Sequence, residues 1–266
     1  MKLTGNSILV TGGGTGIGRV MAAGFLERGN RVAICGRREE MLQEARQAHP
    51  TLETYVCDVS DAEARQLLHD RLARDGFVPN VIINNAAVMR TYDLADSQAL
   101  DLDQIEHDLR INFLAPVALN TLFLPLLQRQ ANAVIMNVSS PGGLVPIANV
   151  PIYCAAKAAL HSYCESLRAQ LAGSVEVIEM VPPSVETAMM DQVDIHKISA
   201  AEFADELFRR LAKGGDEIWV GEGRYIKWIH RVAPGVAFRL ANHSTRMQPG
   251  NALSTVAGAG EVDREI

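Results

Sequence analysis

The chain has 266 residues, 48% of them hydrophobic, which is enough to bury one full core, so we expect a single large domain rather than a disordered chain. Its formal net charge of −6 comes without a basic stripe, which argues against nucleic acid as the main partner and leaves a small molecule as the default ligand. The four cysteines lack paired or zinc spacing, and the first apolar run is too short for a signal peptide or a membrane span, so we expect a soluble, cytoplasmic protein.

Short β-rich apolar runs alternate along the chain with longer segments of helical spacing. The predicted strands are SILVTG, RVAICG, LETYVCDV, VIINNAA, AVIMNVSS, VEVIEMV and EIWVG, and the predicted helices are 16–28, 38–48, 61–74, 101–129, 151–171, 200–213 and 227–240. This order predicts an α/β fold in which a doubly wound parallel sheet of seven strands carries helices on both faces. Such a sheet binds its ligand beyond the carboxyl ends of its strands.

Two boundaries follow from the same pattern. The domain is predicted to extend over 1–241. Beyond it, 242–266 loses periodicity and becomes small and polar, which predicts a poorly ordered or extended tail.

The first predicted strand is followed by TGGGTGIG and then by a helical segment. Glycine tolerates positive φ, its missing Cβ lets a pyrophosphate approach the backbone, and the helix N-terminus offers free N–H groups. Five glycines within seven residues in this context predict a dinucleotide phosphate site rather than a flexible loop. Its predicted members are Thr11, Gly12, Gly14, Thr15, Gly16, Ile17 and Gly18.

The second predicted strand ends at Gly36 and is followed by Arg37 and Arg38. In dinucleotide folds an acidic residue near this position holds the ribose 2′-hydroxyl, whereas an arginine accommodates a 2′-phosphate. Two cations and no acid favour NADP(H) over NAD(H). The alternative is an ordinary solvated helix start, at which an arginine is mildly unfavourable.

The segment PIYCAAKAAL places Tyr153 and Lys157 on one face of a predicted helix. A tyrosine has an ordinary pKa near 10, and a neighbouring ammonium together with an oxidised nicotinamide favours the phenolate. By itself this pair is also compatible with an amphipathic helix that carries a snorkelling lysine. Ser140 ends the fifth predicted strand on the same ligand edge, which favours a catalytic group.

Five motifs in register resemble those of the classical short-chain dehydrogenases/reductases over residues 4 to about 225. They are Thr11-Gly12-x-x-x-Gly16-x-Gly18, NNAA at 84–87, Asn112, Ser140 and Tyr153-x-x-x-Lys157. The resemblance implies a Rossmann-like fold in which Ser140 orients a carbonyl, Tyr153 transfers the proton, Lys157 binds the nicotinamide ribose and lowers the pKa of the tyrosine, and Asn112 holds a water in a proton relay.

Further cofactor contacts are implied by the same resemblance. They are Asp58 and Val59 near the adenine, Asn85 and Ala86 at the central sheet, and Pro183, Val185 and Thr187 in VPPSVET near the nicotinamide carboxamide, where Pro183 replaces the family's usual glycine. The family resemblance also implies a substrate lid within the predicted domain, at about 184–200. More narrowly, MKLTGN, ICGRREE, VPPSVET and HRVAPGVAFRLAN resemble the DltE-type short-chain oxidoreductases.

An apolar substrate pocket is expected beside the reacting groups. Its predicted wall comprises Val145, Ile147, Val150, Met189 and Met190, which favours an uncharged, fairly apolar substrate. The seven histidines have no ligand spacing, so no metal site is expected. Apolar faces on 101–129 and 151–171 predict a homodimer or homotetramer, as the resembled family pairs these helices. The segment 227–240 is amphipathic and basic; we favour its packing on the domain or on a neighbouring subunit over membrane contact.

These features together predict an NADP(H)-dependent alcohol dehydrogenase or carbonyl reductase. An NADP-binding sensor or scaffold without turnover is the main alternative, although binding alone needs neither Ser140 nor the Tyr153 proton. A sugar epimerase or dehydratase is a third possibility, but that group usually spaces its glycines as TGxxGxxG.

Overall fold

The sheet accounts for every predicted strand. A computed structural model describes residues 1–96, 100–190, 197–221 and 223–243, with the backbone alone at Met190. Its strands are β1 Ser7–Thr11, β2 Arg31–Gly36, β3 Glu53–Val56, β4 Val81–Asn84, β5 Val134–Val138, β6 Glu176–Val181 and β7 Glu217–Trp219. The strand order is β3-β2-β1-β4-β5-β6-β7, and each neighbouring pair is parallel.

Strand burial explains why these runs are mostly apolar. All residues of β4 and β5 are buried, because helices cover the sheet on both sides. One apolar cluster includes Phe25 and Phe203, and the other includes Phe77 and Phe123 on the opposite face. The strand order reverses between β1 and β4, so the carboxyl ends of these two strands open the crevice in which such folds bind ligands.

The helices follow the predicted segments closely. They are α1 Gly16–Glu27, α2 Glu39–Ala48, α3 Ala62–Arg74, α4 Leu102–Leu109, α5 Ala115–Leu127, α6 Pro151–Gln170, α7 Ala200–Lys213, α8 Gly223–Val232 and α9 Pro234–Asn242. Local chemistry sets several starts: Asp61 and Asp101 cap α3 and α4 through their side chains, and Ser199 forms a capping box with Glu202 at α7.

The prediction of one regular helix over 101–129 was wrong in its middle. A π-helical turn, Arg110–Leu114, separates α4 from α5. Pro116 has no N–H to donate to the carbonyl of Asn112 four residues earlier, so the regular hydrogen-bond ladder cannot continue there. Leu102–Leu127 is long and apolar enough to cross a membrane by length and composition, but α5 packs against β4 and β5 as a core helix of the fold.

The prediction of one helix over 227–240 was also wrong. The segment forms α8 and α9, which pack against each other, and Ala233 between them has an extended φ of −143°. Pro234 disfavours helical geometry at the residue before it and begins α9 at its first position. Most of the predicted tail, 244–266, and residues 191–196 of the predicted lid lie outside the described residues.

Candidate active site

Thr11 joins the carboxyl ends of β1 and β4. Its buried hydroxyl oxygen accepts hydrogen bonds from the backbone N–H groups of Asn85 and Ala86, both at 3.0 Å. In return, Asn85 Nδ2 donates to the carbonyl of Thr11 at 2.9 Å and to that of Gly12 at 3.3 Å. These contacts hold the glycine turn against the NNAA segment at the point where the strand order reverses.

Several glycines of the turn are required by packing. Gly12 and Gly16 have positive φ values of 65° and 54°, where glycine alone is free of strain. A Cβ added to Gly18 would lie 2.4 Å from both Asn85 Nδ2 and the Gly12 carbonyl oxygen. Gly13 packs against Ile34 in the same way, so part of the glycine pattern serves the close fit of α1 to the sheet.

Replacing Gly18 by alanine is expected to destabilise the fold by about 1–3 kcal/mol, because the methyl group displaces Asn85 and the Gly12 backbone. NADPH affinity falls with it, since the same contacts shape the glycine turn. Gly235→Ala is the matched control: its new Cβ meets no heavy atom within 4 Å. Urea unfolding and NADPH fluorescence titration would measure both effects, and equal stability of the two variants would contradict the packing role.

The N-terminus of α1 fits an anion. Within the described part of the chain, Thr15 makes no side-chain capping hydrogen bond, and the first turn of α1 has no acidic residue. The first N–H groups of the helix therefore keep their donors and the positive end of the dipole. Thr187 reaches this turn from the loop after β6: a Cβ built on Gly16 would lie 3.4 Å from its Cγ2 atom. A dinucleotide pyrophosphate matches this donor set.

Two exposed arginines border the glycine turn from the end of β2. Arg38 Nη2 donates to Thr15 Oγ1 at 3.5 Å, and Arg37 Nη1 lies 4.0 Å from Asp58 Oδ2. The other oxygen of Asp58 accepts from the N–H and hydroxyl of Ser60. The arginines and Asp58 are thus brought to one edge of the site, next to buried Val59.

The structure also brings together Ser140, Tyr153 and Lys157. Ser140 follows β5; its Oγ accepts from the Gly142 N–H at 3.1 Å, and Ser140 lowers the pKa of Tyr153. Lys157, one turn after Tyr153 on α6, is 2% exposed. Its Nζ donates to the Val138 carbonyl at 2.8 Å and lies 5.6 Å from the centroid of the Tyr153 ring.

Burial dominates the electrostatics of this group. It raises the pKa of Tyr153 to about 12, against a smaller lowering by Ser140. It lowers the pKa of Lys157 to about 8, although Cys164 and Glu179 act in the opposite direction. The pKa of Tyr153 is thus raised rather than depressed as expected, because desolvation disfavours the phenolate.

Sequence reasoning missed a buried acid behind Lys157. Glu179 on β6 is 2% exposed, and its Oε2 lies 2.7 Å from Nδ1 of His161, which follows Lys157 by one turn of α6. Its hydrogen bond with Glu179 raises the pKa of His161. A charged residue inside the apolar run VEVIEMV was the available signal, since a buried carboxylate needs a partner.

Asn112 lies within the π-helical turn and is fully buried. Its Oδ1 accepts from the N–H of Val88 at 3.2 Å, and its Nδ2 donates to the Val88 carbonyl at 2.9 Å. One turn earlier, buried Asp108 pairs with Arg90 and accepts from the Tyr92 hydroxyl. These contacts brace the loop after β4, and the sequence reading had not assigned the Asp108 cluster.

The loop after β6 is fixed by backbone pairing. Val185 is buried and forms a parallel bridge with Ile198. Pro183 lies close to Gly221, which follows β7: a Cβ built on Gly221 would lie 3.0 Å from the Cβ of Pro183. Thr187 faces the glycine turn and Val185 the core, so these three predicted cofactor contacts occupy different surroundings.

The predicted pocket wall is divided between core and surface. Val145 and Val150 are buried, at 2% and 5% exposure. Ile147 is partly buried and its N–H donates to Cys154 Sγ at 3.3 Å, whereas Met189 is 43% exposed. The Met190 side chain lies outside the described residues. Ile147 and Met189 are therefore the members that present accessible apolar surface.

Comparison with known proteins places this site in a family. The family model described as short chain dehydrogenase matches residues 6–197. The chain belongs to the short-chain dehydrogenase family. It is 41% identical over 228 residues to the uncharacterized oxidoreductase DltE of Bacillus subtilis, covering 82% of this chain and 89% of that protein.

Solved structures of short-chain dehydrogenases share the fold. One from Burkholderia cenocepacia, in complex with NADP, is 26% identical with a TM-score of 0.79, and covers 91% of this chain and 99% of its own. A second, from Burkholderia phymatum in complex with NAD, is 22% identical with a TM-score of 0.78, and covers 93% and 99%. The seven-stranded parallel fold of this chain is therefore the fold of the short-chain dehydrogenases.

Proposed function

We propose that the protein is an NADP(H)-dependent oxidoreductase that interconverts an alcohol and a ketone or aldehyde. The observation that carries this proposal is the cluster of Ser140, Tyr153 and Lys157 at the ligand edge of the sheet. Nucleotide binding without turnover requires neither the serine nor the tyrosine of this cluster, so this arrangement favours an enzyme over a sensor or scaffold.

A bound nicotinamide would supply the hydride, and the glycine turn with the N-terminus of α1 would hold its pyrophosphate. The Ser140 hydroxyl orients the carbonyl oxygen, and the Tyr153 hydroxyl donates the proton to it. With a pKa of about 12, Tyr153 keeps its proton at neutral pH, as a general acid for carbonyl reduction must. Lys157 Nζ, fixed by the Val138 carbonyl, would bind the nicotinamide ribose.

Preference for NADP(H) is supported by Arg37 and Arg38. Both are exposed at the edge of the glycine turn, and Arg38 also contacts Thr15. A guanidinium at this position matches a 2′-phosphate through paired N–H donors. Asp58 lies beside Arg37, and we propose that it contacts the adenine end of the dinucleotide.

An uncharged, fairly apolar substrate is supported by the accessible apolar surface of Ile147, in the loop that precedes Tyr153, and of Met189, in the segment after β6. We also propose a cytoplasmic location, in keeping with four free cysteines. A homo-oligomer through the segments 101–129 and 151–171 is supported by Leu114, which is 51% exposed where α4 meets α5.

Cofactor oxidation at 340 nm, with NADPH or NADH and a panel of aliphatic, aromatic and cyclic ketones, tests the proposal. We expect turnover with NADPH, and at least a tenfold loss of NADPH affinity in Arg38→Ser with little change for NADH, because a charged hydrogen bond contributes about 1.5–3 kcal/mol. Arg46→Ser, an exposed arginine on α2, is the control. Tight NADPH binding without turnover of any ketone would favour the binding-only alternative.

A further inference from the structure

The helices α8 and α9 carry an apolar surface that the domain does not cover. None of the described side chains of α8 is buried, although Tyr225, Trp228 and Val232 recur at the spacing of one helical face. Trp228 is 67% exposed and Val232 83%. On α9, Val236 and Leu240 are exposed as well. We call these five residues the apolar stripe. We expected this segment to pack on its own domain or on a neighbouring subunit. In the structure of the single chain, most of the apolar stripe is exposed to water.

Charge is segregated onto the same part of the chain. Residues 223–260 contain five of the 25 lysines and arginines but none of the 31 acidic residues. Lys227 pairs with Glu217. Arg231 and Arg239 are exposed, and neither pairs with a carboxylate among the residues that the structure describes. A chain with a net charge of −6 thus presents a cationic, apolar surface at one place.

We propose that α8 and α9 dock the protein on an anionic lipid bilayer. Exposed tryptophan and aliphatic side chains insert at the interface of headgroups and acyl chains, and flanking arginines bind the anionic headgroups. A second copy of the chain fits this surface less well. A two-fold contact would place the patch against itself, bringing arginines together in a segment that holds no acid to pair with them.

The docking surface adjoins the predicted substrate entrance. Asn242, at the end of α9, accepts a hydrogen bond from the Ala148 N–H at 2.7 Å and donates to the Pro146 carbonyl at 3.0 Å. α8 packs on the Pro141–Gly143 turn that follows Ser140. The loop between Ser140 and Tyr153 is thereby fixed to the membrane-facing helices. The substrate class that follows, which rests on the proposed reductase function, is a long-chain aldehyde or ketone dissolved in the bilayer.

Sedimentation with vesicles tests the docking without any need for activity. We expect wild type to sediment with vesicles of equal parts phosphatidylglycerol and phosphatidylcholine, to remain in solution with pure phosphatidylcholine, and to be released by about 1 M salt, which shortens the Debye length to about 3 Å. Fluorescence gives a second readout, because one of the two tryptophans, Trp219, is already buried. A blue shift on binding therefore reports on Trp228.

Arg231→Gln/Arg239→Gln is expected to bind the anionic vesicles roughly thirtyfold more weakly, because each arginine near the surface contributes about fivefold to the affinity. Arg46→Gln/Arg129→Gln, which removes the same charge from exposed arginines elsewhere, should bind as wild type does. Trp228→Ser should also weaken sedimentation, whereas Leu67→Ser on the exposed face of α3 should not. Equal loss in the two double variants, or equal binding of wild type to both vesicle types, would overturn the proposal.

Light scattering and activity separate the remaining outcomes. A dimer that shields Trp228 in the absence of vesicles would assign the surface to a second copy and overturn membrane docking. Arg231→Gln/Arg239→Gln should reduce a long-chain ketone in anionic vesicles more slowly than wild type does. The variant and wild type should reduce a water-soluble ketone at equal rates. If the variant reduced both ketones as fast as wild type does, the lipid substrate would be rejected and the reductase function would stand. If wild type bound the anionic vesicles but turned over no ketone, the reductase function alone would be rejected.

Discussion

Replacing Tyr153 by phenylalanine is expected to lower kcat by about two to four orders of magnitude with NADPH and any ketone that the protein reduces. The Tyr153 hydroxyl keeps its proton at neutral pH, with a pKa of about 12, and it belongs to the same cluster as Ser140. Its removal leaves the ring packing unchanged, and Ser140 keeps its bond from the Gly142 N–H. NADPH affinity and stability should therefore change little.

Tyr163→Phe is the matched control for this substitution. Tyr163 lies on the same helix, α6, and its hydroxyl accepts from Asn120 rather than facing Ser140. Steady-state kinetics and NADPH titration of both variants separate chemistry from binding. Activity of Tyr153→Phe within threefold of wild type would show that another group supplies the proton, and an equal loss in Tyr163→Phe would indicate a general disturbance of α6.

Lys157→Met is expected to abolish turnover and yet stabilise the fold. The folded pKa of about 8 lies below the ordinary 10.5, so the buried ammonium costs roughly 3 kcal/mol at neutral pH. Methionine occupies a similar volume without the charge. The Val138 carbonyl loses its donor, which costs about 1–3 kcal/mol. A small net gain, about 1 kcal/mol, is expected, as in other trade-offs between function and stability.

The stability difference between Lys157→Met and wild type should depend on pH. Because the folded pKa is depressed, the unfolded chain binds the proton more tightly, and the penalty is fully present below pH 8. It disappears as pH rises from about 8 to about 10.5, when the unfolded lysine also loses its proton. The stability advantage of Lys157→Met over wild type should therefore decrease through this window.

Thermal unfolding at intervals between pH 7 and pH 11 would measure the difference between Lys157→Met and wild type. Lys213→Met, at an exposed position in the last turn of α7, should show no such window. A Lys157→Met protein that is less stable than wild type at every pH would mean that the hydrogen bond to Val138 outweighs the desolvation of the ammonium.

The accuracy of the strand predictions has a simple cause. Strands such as β4 and β5 are buried on both faces, so they are apolar apart from Asn84 and Asn137, and their ends coincide with a change in composition. The two wrong helix predictions both concern proline. Pro116 and Pro234 were visible in the sequence, but hydrophobic spacing continued past each of them and masked the break that a missing N–H imposes.

The candidate site was predictable as far as local chemistry reaches. Three of its parts come directly after strands: TGGGTGIG, the pair Arg37 and Arg38, and Ser140. Tyr153 and Lys157 share one face of a helix. Because the strands are parallel, their carboxyl ends bring these groups to one edge of the sheet. The pairing of His161 with Glu179 was not predictable, because α6 and β6 meet there only through tertiary packing. The same holds for the Asp108 cluster, which joins α4 to a loop 16 or more residues away in the chain.

By itself, the sequence determined the seven-stranded order of elements, the dinucleotide turn and the reacting side chains, since these depend on hydrophobic periodicity and on residue types that few other roles require. The tertiary structure decided the electrostatic state of those side chains: burial, which no local pattern measures, raises the pKa of Tyr153 and lowers that of Lys157. It also decided that the apolar stripe of α8 and α9 stays exposed. An amphipathic pattern shows that a helix has an apolar face, whereas only the packing of the whole chain shows whether the domain covers it.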